Sequence, residues 1–320
     1  MSDSQISLES LLEKTIDVLE SENQSVRPYD DNEKPGGLVL LKQDLPTLIV
    51  PDLHGRYDYL PDLMHYQYKD ERVYDLLKKG ALQVVCVGDG MHSERRGISR
   101  WRKALEEYKK GFVECPNMAE EMKENFQTMV MVMRLKTSFP EHFHFLKGNR
   151  ENIMDEESNG NHPFAKLAAE GPMTKMYVEK FMGEEFLKKY DRFEKDLPLV
   201  ARGRFFVVSH ARPKVFYEIE RIINYRQNPD LIEGLTWTRP STAQSGVVPR
   251  MLESLLGNGD DKQFWVCGHS AIKDLYNFLE GELLLEIHNP DLRMVAIVDP
   301  YQEFDPDLHI HILPRVKADA

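Results

Sequence analysis

The chain has 320 residues and a formal net charge of −12 at neutral pH. Because nucleic acids are bound by basic patches, a chain this acidic is not expected to have a nucleic-acid partner. No stretch approaches the roughly 18 apolar residues that span a bilayer, so we also expect no membrane partner.

The chain has three cysteines, Cys86, Cys115 and Cys267, an odd number without the spacing of a zinc site. Two of them lie inside apolar runs, which predicts buried, reduced thiols. Reduced thiols fit a reducing compartment, and the N-terminus does not begin with a basic segment followed by an apolar run. We therefore expect a cytoplasmic protein.

Apolar residues recur at helical spacing near the N-terminus and predict an amphipathic helix packed on the rest of the chain. These residues are Leu8, Leu11, Leu12, Ile16 and Leu19. A polar segment follows, so we expect an N-terminal helix and loop over residues 1–37. Residues 38–320 are expected to form one domain with helical segments at about 100–140 and 160–195, because no linker-like stretch divides them.

Residues 47–56 read Thr-Leu-Ile-Val-Pro-Asp-Leu-His-Gly-Arg. This short apolar run closed by Pro and Gly predicts a buried strand that ends at Asp52 and His54. Open α/β sheets bind ligands at this end of a strand, and a carboxylate and an imidazole here could bind one metal ion. Taken alone, the string is equally typical of a turn aspartate beside a hydrogen-bonded histidine. The next segment, residues 57–79, is predicted to be a helix leading to the second strand.

The same pattern of an apolar run with a polar tip recurs four more times along the chain. The runs and tips are residues 82–87 before Gly88-Asp89-Gly90, residues 142–147 before Gly148-Asn149-Arg150-Glu151, residues 205–209 before His210, and residues 264–268 before His269. The sequence thus predicts five strands, each followed by an Asp, Asn or His at its carboxyl end.

These five motifs together resemble those of the calcineurin-like metallophosphoesterases, and within them the phosphoprotein phosphatase (Ser/Thr phosphatase-like) family. That family has G-D-x-H-G, G-D-x-V-D-R-G, G-N-H-E, a histidine usually followed by glycines, and a late G-H. The resemblance extends from about residue 48 to about residue 299. It implies an α/β (α+β) fold, a four-layer sandwich of two mixed β-sheets flanked by helices, with a dimetal site at the carboxyl ends of the strands.

The resemblance also implies a set of metal ligands that supply oxygen and imidazole nitrogen but no thiolate. They are Asp52, His54, Asp89, Asn149, His210 and His269. Such donors suit two divalent transition-metal ions, with manganese favoured and iron or zinc as alternatives. By resemblance, Asp89 would bridge the ions, the first two residues would hold one ion, and the last three would hold the other. For any one of the histidines, a satisfied core or turn residue is the alternative interpretation.

We also expect arginines that bind the phosphate group, because a planar guanidinium can hold two phosphate oxygens. Arg96 stands where the family has its R-G. Residues 235–240, Leu-Thr-Trp-Thr-Arg-Pro, resemble the family's L-W-S-D-P and make Arg239 a second candidate. Arg212, two residues after a predicted metal histidine, is a third. A surface ion pair is the alternative for each.

The sequence departs from the family at a histidine and an aspartate that work as a catalytic pair in the family. Arg150 stands where the family has its catalytic histidine. The second motif is three residues longer than the family's, and Arg95 stands where its aspartate is expected. We therefore expect the leaving group to be protonated by a residue other than the family's histidine, with His92 or Glu94 of the enlarged loop as candidate acids. Arg150 is expected to hold a phosphate oxygen.

The sequence therefore predicts a hydrolase that cleaves a phosphate ester, of a protein or a small molecule, with a hydroxide activated by two metal ions. The expected catalytic residues are Asp89, His92, Arg96, Asn149 and Arg150. A nucleotide or dinucleotide polyphosphate hydrolase, or a phosphodiesterase, of the same fold is one alternative. A non-catalytic metal-binding scaffold protein is another, and the complete set of six ligands favours the enzyme over it.

Overall fold

The computed structural model describes residues 7–258, 262–279, 281 and 283–315. The helices are α1 (Leu8–Glu20), α2 (Tyr59–His65), α3 (Val73–Lys78), α4 (Ile98–Lys109), α5 (Pro116–Ser138), α6 (Glu170–Met182), α7 (Glu184–Lys195), α8 (Ile219–Ile223), α9 (Pro229–Thr236), α10 (Val247–Leu256) and α11 (Pro306–His309). The strands are β1 (Leu38–Leu40), β2 (Thr47–Val50), β3 (Gln67–Tyr68), β4 (Glu71–Arg72), β5 (Gln83–Cys86), β6 (Phe143–Phe145), β7 (Val200–Arg202), β8 (Phe206–Ser209), β9 (Phe264–Cys267), β10 (Asn277–Leu279), β11 (Leu284–Glu286), β12 (Met294–Val298) and β13 (Ile310–Ile312).

Most of the strands form two mixed sheets. The first sheet has the order β13-β12-β2-β5-β6, in which β2, β5 and β6 are parallel and β12 is antiparallel to both of its neighbours. The second sheet has the order β1-β7-β8-β9-β11-β10, in which β8, β9 and β11 are parallel. The five predicted strands are thus neighbours in two groups, β2, β5 and β6 in the first sheet and β8 and β9 in the second.

The two sheets pack face to face, with helices on both outer faces. Ile49 of β2 and Val208 of β8 belong to one buried cluster between the sheets. Because side chains alternate across a strand, their neighbours face outward. Leu48 packs in a cluster with residues of α1 to α7, and Val207 in a cluster with residues of α8 to α10. The predicted four-layer sandwich of two mixed sheets is confirmed.

The helix predicted near the N-terminus is α1, which packs against α5 and α7. The loop after it is anchored by a buried ionic cluster, in which Glu22 pairs with Arg27 at 2.8 Å and also with Lys136 of α5. Burial alone would raise the pKa of Glu22, but Lys136 and Arg27 together lower it to about 2. The N-terminal loop is therefore tied to the helical layer by charges that lie away from solvent.

The segment predicted as one helix over residues 57–79 is instead two short helices, α2 and α3, separated by the hairpin β3–β4. The turn residues Lys69 and Asp70 have φ values of 51° and 65°, as in the tight turns that match the twist of a hairpin. Tyr68 and Lys69 both bond the carboxylate of Asp299 at the end of β12. The single-helix prediction was wrong, because this distant contact fixes a turn that the local sequence does not signal.

The three cysteines are unpaired, and Cys86 and Cys267 are buried in β5 and β9, as predicted. Burial raises the pKa of both of these thiols, so they act as small core side chains. In the part of the chain that the structure describes, no helix combines the length and the apolar character needed to cross a membrane.

Candidate metal centre

The carboxyl ends of the five predicted strands meet at one edge of the sandwich and bring the six predicted metal ligands together. Asp52 and His54 follow β2, Asp89 follows β5 and Asn149 follows β6, whereas His210 and His269 follow β8 and β9. Five of the six side chains are almost fully buried, and His269 is partly exposed. The cluster therefore joins residues of both sheets.

Three of these residues have left-handed backbone conformations that are unusual outside glycine. The φ angles are 47° at His54, 50° at Asp89 and 60° at His269. Such conformations cost on the order of 1–3 kcal/mol each and persist only where surrounding contacts impose them. Here the amide of His54 donates to the carbonyl of Asp89 at 2.7 Å, and the amide of His269 donates to Asp52 Oδ2 at 3.0 Å. The turns after β2, β5 and β9 thus hold one another in place.

One group of donor atoms, which we call the second cluster, surrounds Nε2 of His210. This nitrogen lies 3.0 Å from Asn149 Oδ1, 3.2 Å from His269 Nδ1 and 3.5 Å from Asp89 Oδ1. The other ring nitrogen of His210 donates to the carbonyl of Val87 at 3.1 Å, so Nε2 carries the lone pair of the neutral ring. The second cluster therefore consists of acceptors that face one another, an arrangement that a bound cation stabilises.

The first cluster surrounds Nε2 of His54. Nδ1 of this ring donates to the carbonyl of His92 at 3.1 Å, which again leaves the lone pair on Nε2. That atom faces three carboxylate oxygens at nearly equal distances, 3.7 Å to Asp52 Oδ2, 3.7 Å to Asp89 Oδ2 and 3.6 Å to Glu94 Oε1. Asp89 contributes one oxygen to each cluster, which is the position that the resemblance implied for a bridging ligand.

His288, which the sequence analysis did not single out, also borders the first cluster. It lies two residues after β11, with Nδ1 3.3 Å from Asp52 Oδ2 and Nε2 3.0 Å from Glu94 Oε2. The ring is fully buried, and Nδ1 has no hydrogen-bond partner. The sequence carried a weaker signal for this residue, because the run Leu-Leu-Leu-Glu-Ile at residues 283–287, apolar except for Glu286, is also followed by a histidine.

Burial has opposite effects on the acids and the bases of this centre. It raises the pKa of Asp52, and it raises the pKa of Asp89 to about 6 despite the nearby Arg150. It lowers the pKa values of His54, His210 and His269, so these rings are neutral. The neutral imidazoles have the form that binds a divalent cation, and a cation bound there would favour the ionised form of the crowded carboxylates.

Glu151 lies beneath the centre and holds two of its loops together. Its carboxylate accepts the backbone amides of Gly148 at 2.6 Å, Asp89 at 3.0 Å and Gly90 at 2.8 Å. Burial and the neighbouring Asp89 raise the pKa of Glu151 to about 7. The loops after β5 and β6 are thereby fixed relative to each other.

Arg150 lies directly over the centre. Its backbone amide donates to Asp89 Oδ1 at 2.9 Å, and its Nε lies 3.4 Å from Asp89 Oδ2. The guanidinium carbon lies 3.3 Å from the centroid of the Phe164 ring. The side chain is 6% exposed, so the aromatic ring and the carboxylate fix its plane.

A cavity of about 340 Å³ opens above both clusters. Its floor contains metal-centre residues, its walls are aromatic, and its rim carries cationic side chains. These residues are His54, Asp89, Glu94, Asn149 and His269 on the floor, Phe164 and Trp237 on the walls, and Arg150, Lys166 and Arg239 as cations. The cavity therefore suits an anion that approaches the clusters from solvent.

Two predicted substrate-binding arginines lie outside this cavity. Arg96 pairs with Glu124 at 2.5 Å and donates to the carbonyls of His54 and Gly55 at 3.1 and 2.8 Å. It thus supports the turn after β2 from beneath, instead of reaching the substrate side as expected. Arg212 is buried and pairs with Glu286 of β11 at 2.7 Å, so it too lies away from the expected phosphate position.

The two candidate acids of the enlarged loop are also engaged by the protein. His92 is buried behind the cavity wall, with its ring stacked on Trp101 and beside Phe164, and burial with the nearby Arg150 lowers its pKa to about 3. Glu94 reaches the floor but is bonded to His288. Burial alone would raise the pKa of Glu94, but the hydrogen bond from His288 and the nearby Lys166 hold it well below its usual range. Both side chains are therefore held by contacts within the protein.

Two mixed sheets packed face to face, helices on both outer faces, and Asp, Asn and His residues at the strand ends form the architecture that the resemblance to the calcineurin-like metallophosphoesterases implied. No family model matches the sequence, and no curated protein matches it. Among solved structures, the fold is similar to that of a protein serine/threonine phosphatase from Saccharomyces cerevisiae with similarity to human phosphatase PP5, with a TM-score of 0.60 and 14% identity over 97% of this chain and 90% of that one. It is also similar to a cold-active protein tyrosine phosphatase, with a TM-score of 0.50 and 12% identity over 82% of this chain and 75% of that one. At these identities the likeness establishes the fold.

Proposed function

We propose that the protein is a metal-dependent phosphatase that hydrolyses phosphate esters with two divalent cations. The observation that carries the proposal is the pair of donor clusters that share Asp89, beneath a cavity lined with cations. The likeness to two solved phosphatases supports the same reaction class.

The proposed ligands are the six predicted residues, divided between the two clusters. Asp52, His54 and Asp89 Oδ2 would hold the first cation. Asp89 Oδ1, Asn149, His210 and His269 would hold the second. Two divalent cations bound there would acidify a water molecule and neutralise charge on the phosphoryl oxygens. The oxygen and nitrogen donors suit manganese, which we propose as the ion, and also iron or zinc.

The residues around the clusters would bind and orient the substrate. Arg150 would hold a phosphoryl oxygen, since its guanidinium is already fixed between Phe164 and Asp89 and loses little freedom on binding. Arg239 also lines the cavity and would hold a second oxygen. The aromatic side chains Phe164 and Trp237 would pack against the group that carries the phosphate.

The hydrolase proposal is tested with a panel of phosphate compounds and a controlled metal supply. Metal-free protein supplied with Mn²⁺ is expected to hydrolyse p-nitrophenyl phosphate and to lose this activity on chelation. The panel also includes phosphotyrosine and phosphoserine peptides, nucleoside polyphosphates and a phosphodiester. Preferential cleavage of an anhydride or a diester would favour the alternative hydrolases. Two bound ions without turnover of any compound would favour the metal-binding scaffold.

Arg239 provides a test of the proposed phosphate contact. Arg239→Ala is expected to weaken inhibition by inorganic phosphate or vanadate about 10- to 150-fold, since a charge-assisted contact is worth roughly 1.5–3 kcal/mol. The inhibition constant is measured at fixed Mn²⁺, with metal content checked by mass spectrometry. Arg95→Ala is the matched control, because Arg95 is exposed and faces Asp291 outside the cavity. Equal inhibition of the Arg239→Ala variant and the wild type would make Arg239 an ordinary surface residue.

A further inference from the structure

His288 and Glu94 form a connected pair at the edge of the first cluster. The hydrogen bond from His288 Nε2 to Glu94 Oε2 is 3.0 Å long. The two side chains are 1% and 11% exposed, so the bond is almost shielded from water. The pair joins the enlarged loop after β5 to the segment after β11, two parts of the chain that are 194 residues apart. None of the five motifs discussed above contains His288.

The hydrogen bond determines which way the lone pair of the His288 ring points. If Nε2 carries the proton that it donates to Glu94, Nδ1 carries the lone pair. Nδ1 faces Asp52 Oδ2 at 3.3 Å, is buried, and has no hydrogen-bond partner. Two acceptors that face each other in a buried site are stabilised by a cation between or beside them. Ligand atoms of Asp52, His54 and His288 lie within 4.8 Å of one another, close enough to share one ion.

We propose that His288 is a further ligand of the first cation and that Glu94 is its positioning residue. The proposal rests on the two-cation site proposed above and adds a residue to it. Metal-binding histidines commonly donate their other ring N–H to a carboxylate, which fixes the tautomer and orients the ring. The glutamate of the enlarged loop then has an assigned role. It holds His288 in the tautomer that can bind metal.

Metal binding by the full-length protein tests this directly, without any phosphate ester. Mn²⁺ is titrated into metal-free protein by calorimetry, and metal content is measured after gel filtration. The wild type is expected to bind two ions. His288→Ala is expected to weaken one of the two binding events more than about 100-fold, because it removes a ligand atom itself, a larger change than the 10- to 100-fold typical of its hydrogen-bond partners.

The Glu94 variants separate a positioning role from a purely structural one. Glu94→Ala should weaken the same binding event about 10- to 100-fold, whereas Glu94→Gln, which can still accept the proton of Nε2, should recover most of the affinity. His65→Ala is the matched control, because His65 is exposed on α2 and bonds only its own helix among the contacts described. His269→Ala should weaken the other binding event. Circular dichroism of each metal-free variant checks its fold, and the Glu94 series decides the question if His288→Ala does not fold.

Wild-type affinity for both ions in folded His288→Ala would overturn the proposal and leave His288 and Glu94 as a buried hydrogen-bonded pair. The same conclusion follows if Glu94→Ala and Glu94→Gln bind both ions as the wild type does. The phosphatase proposal is judged separately. If two ions bind in a manner that depends on His288 but the protein has no phosphatase activity, the proposed function fails and this inference stands. If the protein is an active phosphatase and binds metal independently of His288, the proposed function stands and this inference fails.

Discussion

Replacement of Asp89 by asparagine is expected to reduce phosphate ester hydrolysis by about 10³-fold or more. The two carboxylate oxygens of Asp89 face different clusters, Oδ2 toward His54 and Oδ1 toward His210. Asparagine keeps the shape but replaces one oxygen with an N–H₂ group and removes the charge. The loss is several kcal/mol if both cations depend on that charge, and each 1.36 kcal/mol is a factor of ten in rate.

The measurement is turnover of p-nitrophenyl phosphate at saturating Mn²⁺, together with metal content. The Asp89→Asn variant should retain at most one tightly bound ion. Asp291→Asn is the control, because this exposed carboxylate faces Arg95 away from the cavity. If the Asp89 variant holds two ions and turns over at a rate near that of the wild type, Asp89 is not the bridging residue and the two-cation proposal fails.

The second large effect concerns the leaving group. The ratio of the alkyl phosphate rate to the aryl phosphate rate is expected to be about 10²- to 10⁴-fold lower than in an enzyme that has a general acid. Arg150 occupies the position of the family's acid and keeps its proton at neutral pH. Its guanidinium is committed to Phe164 and Asp89, so it can stabilise charge on a phosphoryl oxygen without protonating the departing one. Aryl and anhydride leaving groups depart without that proton.

A series of monoesters with graded leaving groups gives the dependence of the chemical step on leaving-group pKa. The wild type should show a steep dependence. Arg150→His should make it shallower by restoring an acid, and Arg150→Ala should slow all esters alike by removing the oxygen contact. His92→Ala is not expected to change the slope, since His92 is buried behind Phe164. A shallow slope in the wild type, or selective loss of alkyl esters in His92→Ala, would show that the loop supplies an acid after all.

The fold could be predicted from the sequence because the sequence signals for its strands were local. The apolar runs at β2, β5, β6, β8 and β9 each end in a polar residue, and the order of these tips identified both the sandwich and the six-residue cluster. The resemblance to the family implied that Asn149 lies near His210, and the two are 3.0 Å apart although they follow strands of different sheets. Side chains that point forward from a strand end are predictable once the strand is recognised.

The other site residues depend on contacts that no local pattern encodes. Arg96 sits in a one-turn 3₁₀ helix, Arg95–Gly97, within a loop of unusual length, so its alignment with the family's arginine did not fix its direction. Arg212 is held by Glu286, which is 74 residues away in sequence. His288 does follow the strand-and-tip pattern, but it was missed because the motifs used for comparison end before it.

Because the second cluster draws residues from both sheets, a cation bound there would cross-link the two sheets at this edge of the sandwich. Binding to the native state alone adds stability of RT ln(1 + [L]/Kd), about 2.7 kcal/mol for an ion at 100 times its dissociation constant. That amount is a substantial fraction of the 5–15 kcal/mol by which most domains are stable. Metal supply would then set how long the folded chain survives as well as how fast it reacts.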